Sequence, residues 1–109
     1  MYKIKKKFEV AASHKLSLSY DSPCENLHGH NWIITVYCQN DKLDADGMVI
    51  DFKVIKDIIH GAMDHSYLND IFHFNPTAEN IAKWIVEQVP FCYRADVEES
   101  SNNTATYEL

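Results

Sequence analysis

A thiol, a carboxylate and two imidazoles lie close together in the stretch Cys24-Glu25-Asn26-Leu27-His28-Gly29-His30. An apolar run from about Asn31 to Gln39 follows it and predicts a β-strand. Residues two apart in a strand point to the same face, so His28 and His30 can direct both rings at one point. Gly29 leaves the opposite face open to a close approach. Two converging imidazoles indicate a metal site that needs at least one more ligand.

The third ligand can come from the N-terminal segment. From Tyr2 to His14 the apolar residues fall mostly at even positions and the odd positions are mostly polar, which predicts a strand. His14 stands at the end of the apolar face. A lone histidine there is more often a core or rim residue, but beside a His-x-His it becomes the natural third ligand. The residue pattern alone leaves both interpretations open.

Cys24 lies on a segment, residues 15–27, that shows no periodicity and predicts a loop. A nearby cation favours the thiolate form of a cysteine, which would activate Cys24 as a base or nucleophile. Two other interpretations are a fourth metal ligand in a closed structural site and a small packed side chain. Structural zinc sites are usually cysteine-rich and four-coordinate, so three histidines with one cysteine favour a catalytic site.

Two helices are predicted in the middle of the chain. Asp51 is a suitable N-cap for a helix whose apolar positions recur from Phe52 to Met63, and Thr77 caps a second helix that Pro90 ends. Asp64 and His65 follow the first helix. The carboxylate could orient an imidazole that acts as a general acid or base, although a surface loop is the simpler interpretation of an Asp-His pair.

The C-terminal segment alternates again and then turns into a short final strand. The positions that share one parity are Phe91, Tyr93, Ala95, Val97 and Glu99. An acidic residue therefore falls on the inner face, where a carboxylate is costly unless it is paired. Glu99 is a candidate for binding a ligand with adjacent N–H donors. A slip at the strand end that exposes Glu99 is the alternative.

The order of predicted elements is ββααββ. It predicts an α+β fold over residues 1–109, one domain in which a four-stranded antiparallel sheet carries two helices on one face. At 109 residues the chain is short, so a deep active-site cavity would need help from neighbouring subunits.

Composition excludes several classes of function. The net charge of -6 and the lack of a basic stripe argue against nucleic acid as a partner. No apolar run is long enough to span a membrane, and lysines interrupt the N-terminus where a secretion signal would be apolar. Three cysteines without the regular spacing of a disulfide framework argue against a disulfide-stabilised scaffold. We expect a reduced, cytoplasmic protein.

The chain resembles the family of 6-pyruvoyl-tetrahydropterin synthases and 6-carboxy-5,6,7,8-tetrahydropterin synthases. Six motifs carry the resemblance, occur in the family's order and extend over essentially the whole chain. They are Phe8 to His14, C-x-x-x-H-G-H at 24–30, Gly47 to Phe52, D-H-x-x-L-N at 64–69, Pro76 to Asn80, and Glu99-Ser100 with Tyr107.

The resemblance implies the T-fold, whose trimeric barrels stack as homohexamers (dimers of trimers) with active sites at subunit interfaces. It implies a Zn²⁺ cofactor held by three histidines: His14, His28 and His30. It also implies that Cys24 is the catalytic cysteine, that Asp64 and His65 complete the proton-transfer set, and that Glu99 holds the pterin ring.

The implied substrate is 7,8-dihydroneopterin triphosphate. In the bacterial queuosine branch the products are 6-carboxy-5,6,7,8-tetrahydropterin, acetaldehyde and triphosphate, and the spacing from Cys24 to His28 fits that branch. Glu25 also makes E-x-x-H-G-H, a signature of a folate-linked subgroup that leaves 6-hydroxymethyl-dihydropterin, unless Glu25 is an exposed loop carboxylate. Synthesis of 6-pyruvoyl-tetrahydropterin is a further alternative. Three alternatives from other classes are a metal-binding module without turnover, a structural zinc domain, and another T-fold enzyme such as an aldolase. The His-Gly-His motif weighs against the aldolase.

Overall fold

The structure, a computed structural model, describes residues 1–109 and shows a sheet with helices on one face. The long strands are β1 (Tyr2–His14), β2 (His28–Asn40), β4 (Cys92–Ser100) and β5 (Asn103–Glu108). The main helices are α1 (Phe52–Met63) and α3 (Ala78–Gln88). All neighbouring long strands pair antiparallel, so the predicted α+β arrangement is confirmed.

Three short elements add to the predicted order. A 3₁₀ turn, Pro23–Glu25, interrupts the first loop, and a short helix, α2 (Leu68–Ile71), follows α1. Between α1 and α2 lies strand β3 (Ser66–Tyr67), which pairs in parallel with the end of β1. The sheet therefore has five strands in the order β3-β1-β2-β4-β5. Strand β2 begins at His28, before the predicted start at Asn31, so both histidines of the His-Gly-His motif belong to it.

The helices cover the face of the sheet on which the even residues of β1 and β2 lie. Phe8, Val10, Trp32 and Ile34 are buried there, as the alternation predicts. Helices α1 and α3 contribute their apolar stripes to the same core, with buried residues Ile55, Ile59, Met63, Ile81 and Ile85. None of the helices combines the length and the apolar composition needed to cross a bilayer.

Both predicted helix caps are confirmed. The Asp51 side chain accepts a hydrogen bond of 2.8 Å from the Lys53 backbone N–H at the start of α1. The Thr77 hydroxyl accepts one of 3.2 Å from the Asn80 backbone N–H at the start of α3. Each cap satisfies an N–H that has no partner within its helix, and so fixes the residue at which the helix begins.

A β-bulge interrupts the alternation of side chains that the sequence predicts for the last segment. Tyr37 pairs with Arg94 but the next residue, Cys38, pairs with Cys92, which leaves Tyr93 as the extra residue of β4. The prediction that Tyr93 shares the inner face is therefore wrong. Its ring lies 6.2 Å from that of Tyr37, on the helix-free face. Bulges interrupt the period of two, and the sequence shows no signal for this one.

Candidate metal centre and active site

Three histidines converge where β1 ends and β2 begins. The strand register places His14 directly opposite His28, with His30 opposite Ala12. The ring centroids are 4.4 Å apart for His14 and His28, 4.8 Å for His28 and His30, and 5.2 Å for His14 and His30. Their ligand atoms and a Glu99 carboxylate oxygen all lie within 4.8 Å of one another. The antiparallel pairing thus assembles a cluster of three nitrogen donors and one oxygen donor.

Backbone carbonyls orient two of the imidazoles. The Nδ1 atom of His14 lies 2.8 Å from the Pro76 carbonyl oxygen, and that of His28 lies 2.6 Å from the Asn26 carbonyl oxygen. A carbonyl can only accept, so each Nδ1 carries the proton and donates it. This tautomer leaves Nε2 with a free lone pair. Metal-binding histidines are typically fixed in this way by the hydrogen bond of the other ring nitrogen.

Two of the ring nitrogens are buried without a hydrogen-bond partner, Nε2 of His14 and Nε2 of His30. The latter lies 3.1 Å from a Glu99 oxygen but makes no hydrogen bond with it. A buried polar atom without a partner is costly, and a cation would supply the missing interaction. The donor set therefore fits a zinc-type ion.

The protonation of the cluster supports the same fit. Burial is the main cause that lowers the pKa of His14 and of His30 below the ordinary value for histidine, and the neighbouring His28 adds to the effect. The Glu99 carboxylate opposes the shift at both residues. Neutral imidazole is the form that binds metals, so the environment of these two side chains favours ligation over protonation.

Cys24 lies outside this cluster. It belongs to the exposed 3₁₀ turn, where its N–H donates to the Ser22 hydroxyl at 3.2 Å and its carbonyl oxygen accepts from the Leu16 N–H at 3.0 Å. Its sulfur is not among the clustered ligand atoms, whereas a Glu99 carboxylate oxygen lies beside the three histidines. The cluster in this chain is therefore not a closed site with Cys24 as fourth ligand. Glu25, on the same turn, is half-buried.

Asp64 and His65 are hydrogen-bonded to the backbone of β1. One carboxylate oxygen of Asp64 accepts from the Ala11 N–H at 3.0 Å, and the His65 N–H donates to the Ala11 carbonyl oxygen at 2.7 Å. The Ala11 hydrogen bond is the main cause that lowers the pKa of Asp64. The other Asp64 oxygen lies 3.3 Å from Nε2 of His65, whose side chain is 84% exposed. An ionised carboxylate thus faces an accessible imidazole, as the Asp-His pair predicts.

His65 borders an open groove of about 540 Å³. The groove is lined mainly by residues of β1 and β2 with the opposite parity from the clustered histidines: Ala11, Ser13, Gly29 and Asn31. Ala12, Ser66, Tyr67 and one histidine of the cluster, His30, complete the lining. His65 thus lies outside the group of clustered ligand atoms, and only His30 belongs to both the cluster and the groove.

His60 is a neighbour of Asp64 that the sequence motifs do not single out. Its Nε2 lies 3.4 Å from the same Asp64 oxygen that faces His65, and its ring packs edge-on against Phe8 at 6.4 Å between centroids. The spacing of four residues within one helical turn is the signal that could have identified it. Asp64 is therefore in contact with two imidazoles.

Glu99 points to the helix-facing side, as the alternation predicts, and its side chain is 26% exposed. It borders a second pocket of about 280 Å³. The remaining lining residues come from the start of α3 and the β4–β5 hairpin: Ala78, Glu79, Asn102, Asn103, Thr104 and Ala105. A carboxylate at the wall of a pocket beside a metal-type cluster can accept hydrogen bonds from N–H groups of a bound ring.

Comparisons with known proteins agree with this geometry. The family model for 6-pyruvoyl tetrahydropterin synthase matches residues 3–109. The 6-carboxy-5,6,7,8-tetrahydropterin synthase of Synechocystis is 35% identical over 98% of this chain and 93% of its own length. The dihydroneopterin monophosphate aldolase of Pyrococcus furiosus is 40% identical over 60% of this chain and 57% of its own length.

The fold has solved relatives as well. The 6-pyruvoyl tetrahydropterin synthase of Caenorhabditis elegans superposes with a TM-score of 0.79 at 23% identity, covering 98% of this chain and 94% of that one. The similarity shows that the chain has the T-fold. Together with the match to the family model over residues 3–109, it leads to one conclusion: the chain belongs to the 6-pyruvoyl tetrahydropterin synthase family.

Proposed function

We propose that the protein is a zinc-dependent 6-carboxy-5,6,7,8-tetrahydropterin synthase. It converts 7,8-dihydroneopterin triphosphate to 6-carboxytetrahydropterin, acetaldehyde and triphosphate in queuosine biosynthesis. The observation that carries the proposal is the cluster of His14, His28 and His30, two of which have a buried Nε2 without a partner. The name of the Synechocystis relative supports the choice of reaction.

Each residue of the site has a defined task in this proposal. A bound zinc ion supplies Lewis-acid polarisation of the oxygens on the substrate side chain. Cys24, on its exposed turn, removes a proton from the side chain, and His65 exchanges protons with the substrate while Asp64 orients and balances its charge. Glu99 accepts hydrogen bonds from the N–H groups of the pterin ring, which fixes the substrate's orientation.

The active site is proposed to form between subunits. Most β1 and β2 residues that line the groove beside His65 belong to the helix-free face, whereas the side chains of the histidine cluster lie on the helix-facing side. His65 is also absent from the group of clustered ligand atoms. We therefore assign His65 and the cluster of one chain to two different sites. In a homohexamer, His65 of one copy would act on the substrate bound at the histidine cluster of its neighbour. This arrangement also explains how a 109-residue chain can enclose a bicyclic ring.

The reaction is tested by identifying the product. Zinc-loaded protein is incubated with 7,8-dihydroneopterin triphosphate, and the pterin is analysed by mass spectrometry beside Cys24→Ala and Glu25→Ala variants. We expect a carboxylated tetrahydropterin that disappears with Cys24→Ala and persists with Glu25→Ala. Absence of any pterin product from folded, zinc-bound protein would contradict the enzymatic function.

Side-chain cleavage to 6-hydroxymethyl-dihydropterin is the second candidate. It is favoured by Glu25, which is half-buried beside Cys24 and completes E-x-x-H-G-H. The incubation described above separates the two functions, because 6-hydroxymethyl-dihydropterin lost only with Glu25→Ala would assign the protein to folate synthesis.

Replacing Asp64 with asparagine is expected to lower kcat by about 10²-fold or more, because His65 loses the carboxylate that orients it and balances its charge during proton transfer. The amide oxygen can still accept from the Ala11 N–H, so the fold and KM should change little. Steady-state kinetics and circular dichroism measure the two effects. Asp57→Asn, an exposed carboxylate on the same helix, is the matched control. Equal kcat values for Asp64→Asn and wild type would exclude the proposed role of Asp64.

A further inference from the structure

Two buried cysteines that the proposed reaction does not use lie opposite each other in the sheet. Cys38, near the end of β2, is fully buried, and Cys92, the first residue of β4, is 7% exposed. Both are free thiols. Their Cα atoms are register partners across the two strands.

The β-bulge of β4 brings the two thiols to the same face. Regular pairing would place Tyr93 opposite Cys38 and turn Cys92 to the helix-free face. The register shift between Tyr37 and Cys38 instead moves Tyr93 outward and Cys92 into the core. Bulges commonly redirect a side chain in this way. The irregularity therefore has a specific result, which is a pair of cysteines that are register partners and are both buried in the core.

The geometry is suitable for a covalent link. Directly opposed residues of antiparallel strands have Cα atoms about 4.5 to 5.5 Å apart. Disulfides span Cα separations of roughly 4.4 to 6.8 Å. The proximity of the two side chains raises the pKa of Cys38 and lowers that of Cys92. The Cys92 sulfur also lies 3.4 Å from the Arg94 carbonyl oxygen. Cys92 is also the less deeply buried of the two residues, which makes it the first target of a small oxidant.

We propose that Cys38 and Cys92 form a dithiol site that hydrogen peroxide oxidises to a cross-strand disulfide. The Cys92 thiolate attacks one peroxide oxygen, the O–O bond breaks, and hydroxide leaves, so that Cys92 becomes a sulfenic acid. The Cys38 sulfur then attacks the Cys92 sulfur, and the S–O bond breaks as water leaves with the Cys38 proton. Two thiols and one peroxide give one disulfide and two waters, with the sulfurs oxidised and the oxygens reduced by two electrons.

This site is separate from the histidine cluster. His30 and Cys38 belong to the same strand, and their separation along it is roughly 25 Å. The proposal therefore does not depend on the reaction assigned to the protein. It adds a second chemistry, the capture of a small two-electron oxidant at the far end of the sheet.

Thiol counting tests the proposal. Cys24→Ser protein, which lacks the exposed thiol, is treated with hydrogen peroxide, quenched with catalase, denatured and alkylated before mass spectrometry and peptide mapping. We expect loss of both alkylation sites, a peptide linking Cys38 to Cys92 within one chain, and recovery of both thiols with dithiothreitol.

The controls define what would overturn the proposal. In Cys24→Ser/Cys38→Ala protein, Cys92 has no partner and should end as a sulfinic or sulfonic acid without a disulfide. If that variant does not fold, peptide mapping of Cys24→Ser alone still decides the question. The proposal would be wrong if both thiols could still be alkylated after a peroxide dose that oxidises an exposed cysteine. It would also be wrong if Cys92 were oxygenated without forming a disulfide, or if the disulfide joined two chains.

Discussion

Replacing His28 with alanine is expected to remove the metal from the protein and to lower kcat/KM by about 10³-fold or more. Loss of Lewis-acid stabilisation is worth several kcal/mol, and each 1.4 kcal/mol is about tenfold in rate. His28 is the suitable ligand to remove because it is half-exposed, whereas His14 is fully buried and hydrogen-bonded to the Pro76 carbonyl oxygen. Elemental analysis of the dialysed protein gives the zinc content, and steady-state kinetics gives the rate.

His73→Ala is the matched control for this experiment. His73 is exposed in the loop before α3 and has no part in the cluster, so its removal should leave zinc content and rate unchanged. Circular dichroism establishes that both variants fold. If His28→Ala protein kept stoichiometric zinc and a rate near that of the wild type, the cluster would not be the metal centre.

Two inactive variants are expected to restore activity when their subunits are mixed. His28→Ala protein lacks the metal but keeps His65, and His65→Ala protein keeps the metal but lacks the acid–base group. Because the proposed site takes the histidine cluster from one subunit and His65 from its neighbour, a site between unlike subunits can contain one intact copy of each. Each complete site needs an intact histidine cluster from one subunit and an intact His65 from its neighbour. In a random mixture of equal amounts each condition is met in half of the sites, so we expect about a quarter of the wild-type activity.

Co-expression with two distinguishable tags allows the mixed oligomers to be isolated and assayed. The control is co-expression of His28→Ala with His30→Ala, in which both lesions fall in the same cluster and no site is complete. That pair should remain inactive. Mixed oligomers of His28→Ala and His65→Ala that are no more active than either parent would show that the site does not form between subunits.

The histidine cluster could be predicted because it depends on a period of two. His14, His28 and His30 share one parity of their strands, and the antiparallel pairing of β1 with β2 brings the strand ends together. The N-caps at Asp51 and Thr77 depend on equally local chemistry. The orientation of Glu99 follows from the same parity, since Glu99 lies two residues after the buried Val97 and joins the histidine cluster.

What the sequence could not predict depends on contacts between distant segments. The bulge at Tyr93 is set by packing against β2, and no residue type signals it. The position of His65 beside β1 is fixed by its backbone hydrogen bond to Ala11, 54 residues earlier in the chain. Each case needs the tertiary arrangement before the local pattern can be interpreted.

The hydrogen bond from His14 to the Pro76 carbonyl oxygen has a thermodynamic consequence. Pro76 immediately precedes Thr77, the residue that caps α3, so the ring that would hold the metal also holds the start of a core helix. Cation affinity and helix docking are therefore linked equilibria. A cation present at a hundred times its dissociation constant would stabilise the folded state by about 2.7 kcal/mol. Through this link the cation's concentration in the cell would set the stability of the fold as well as the rate of the reaction.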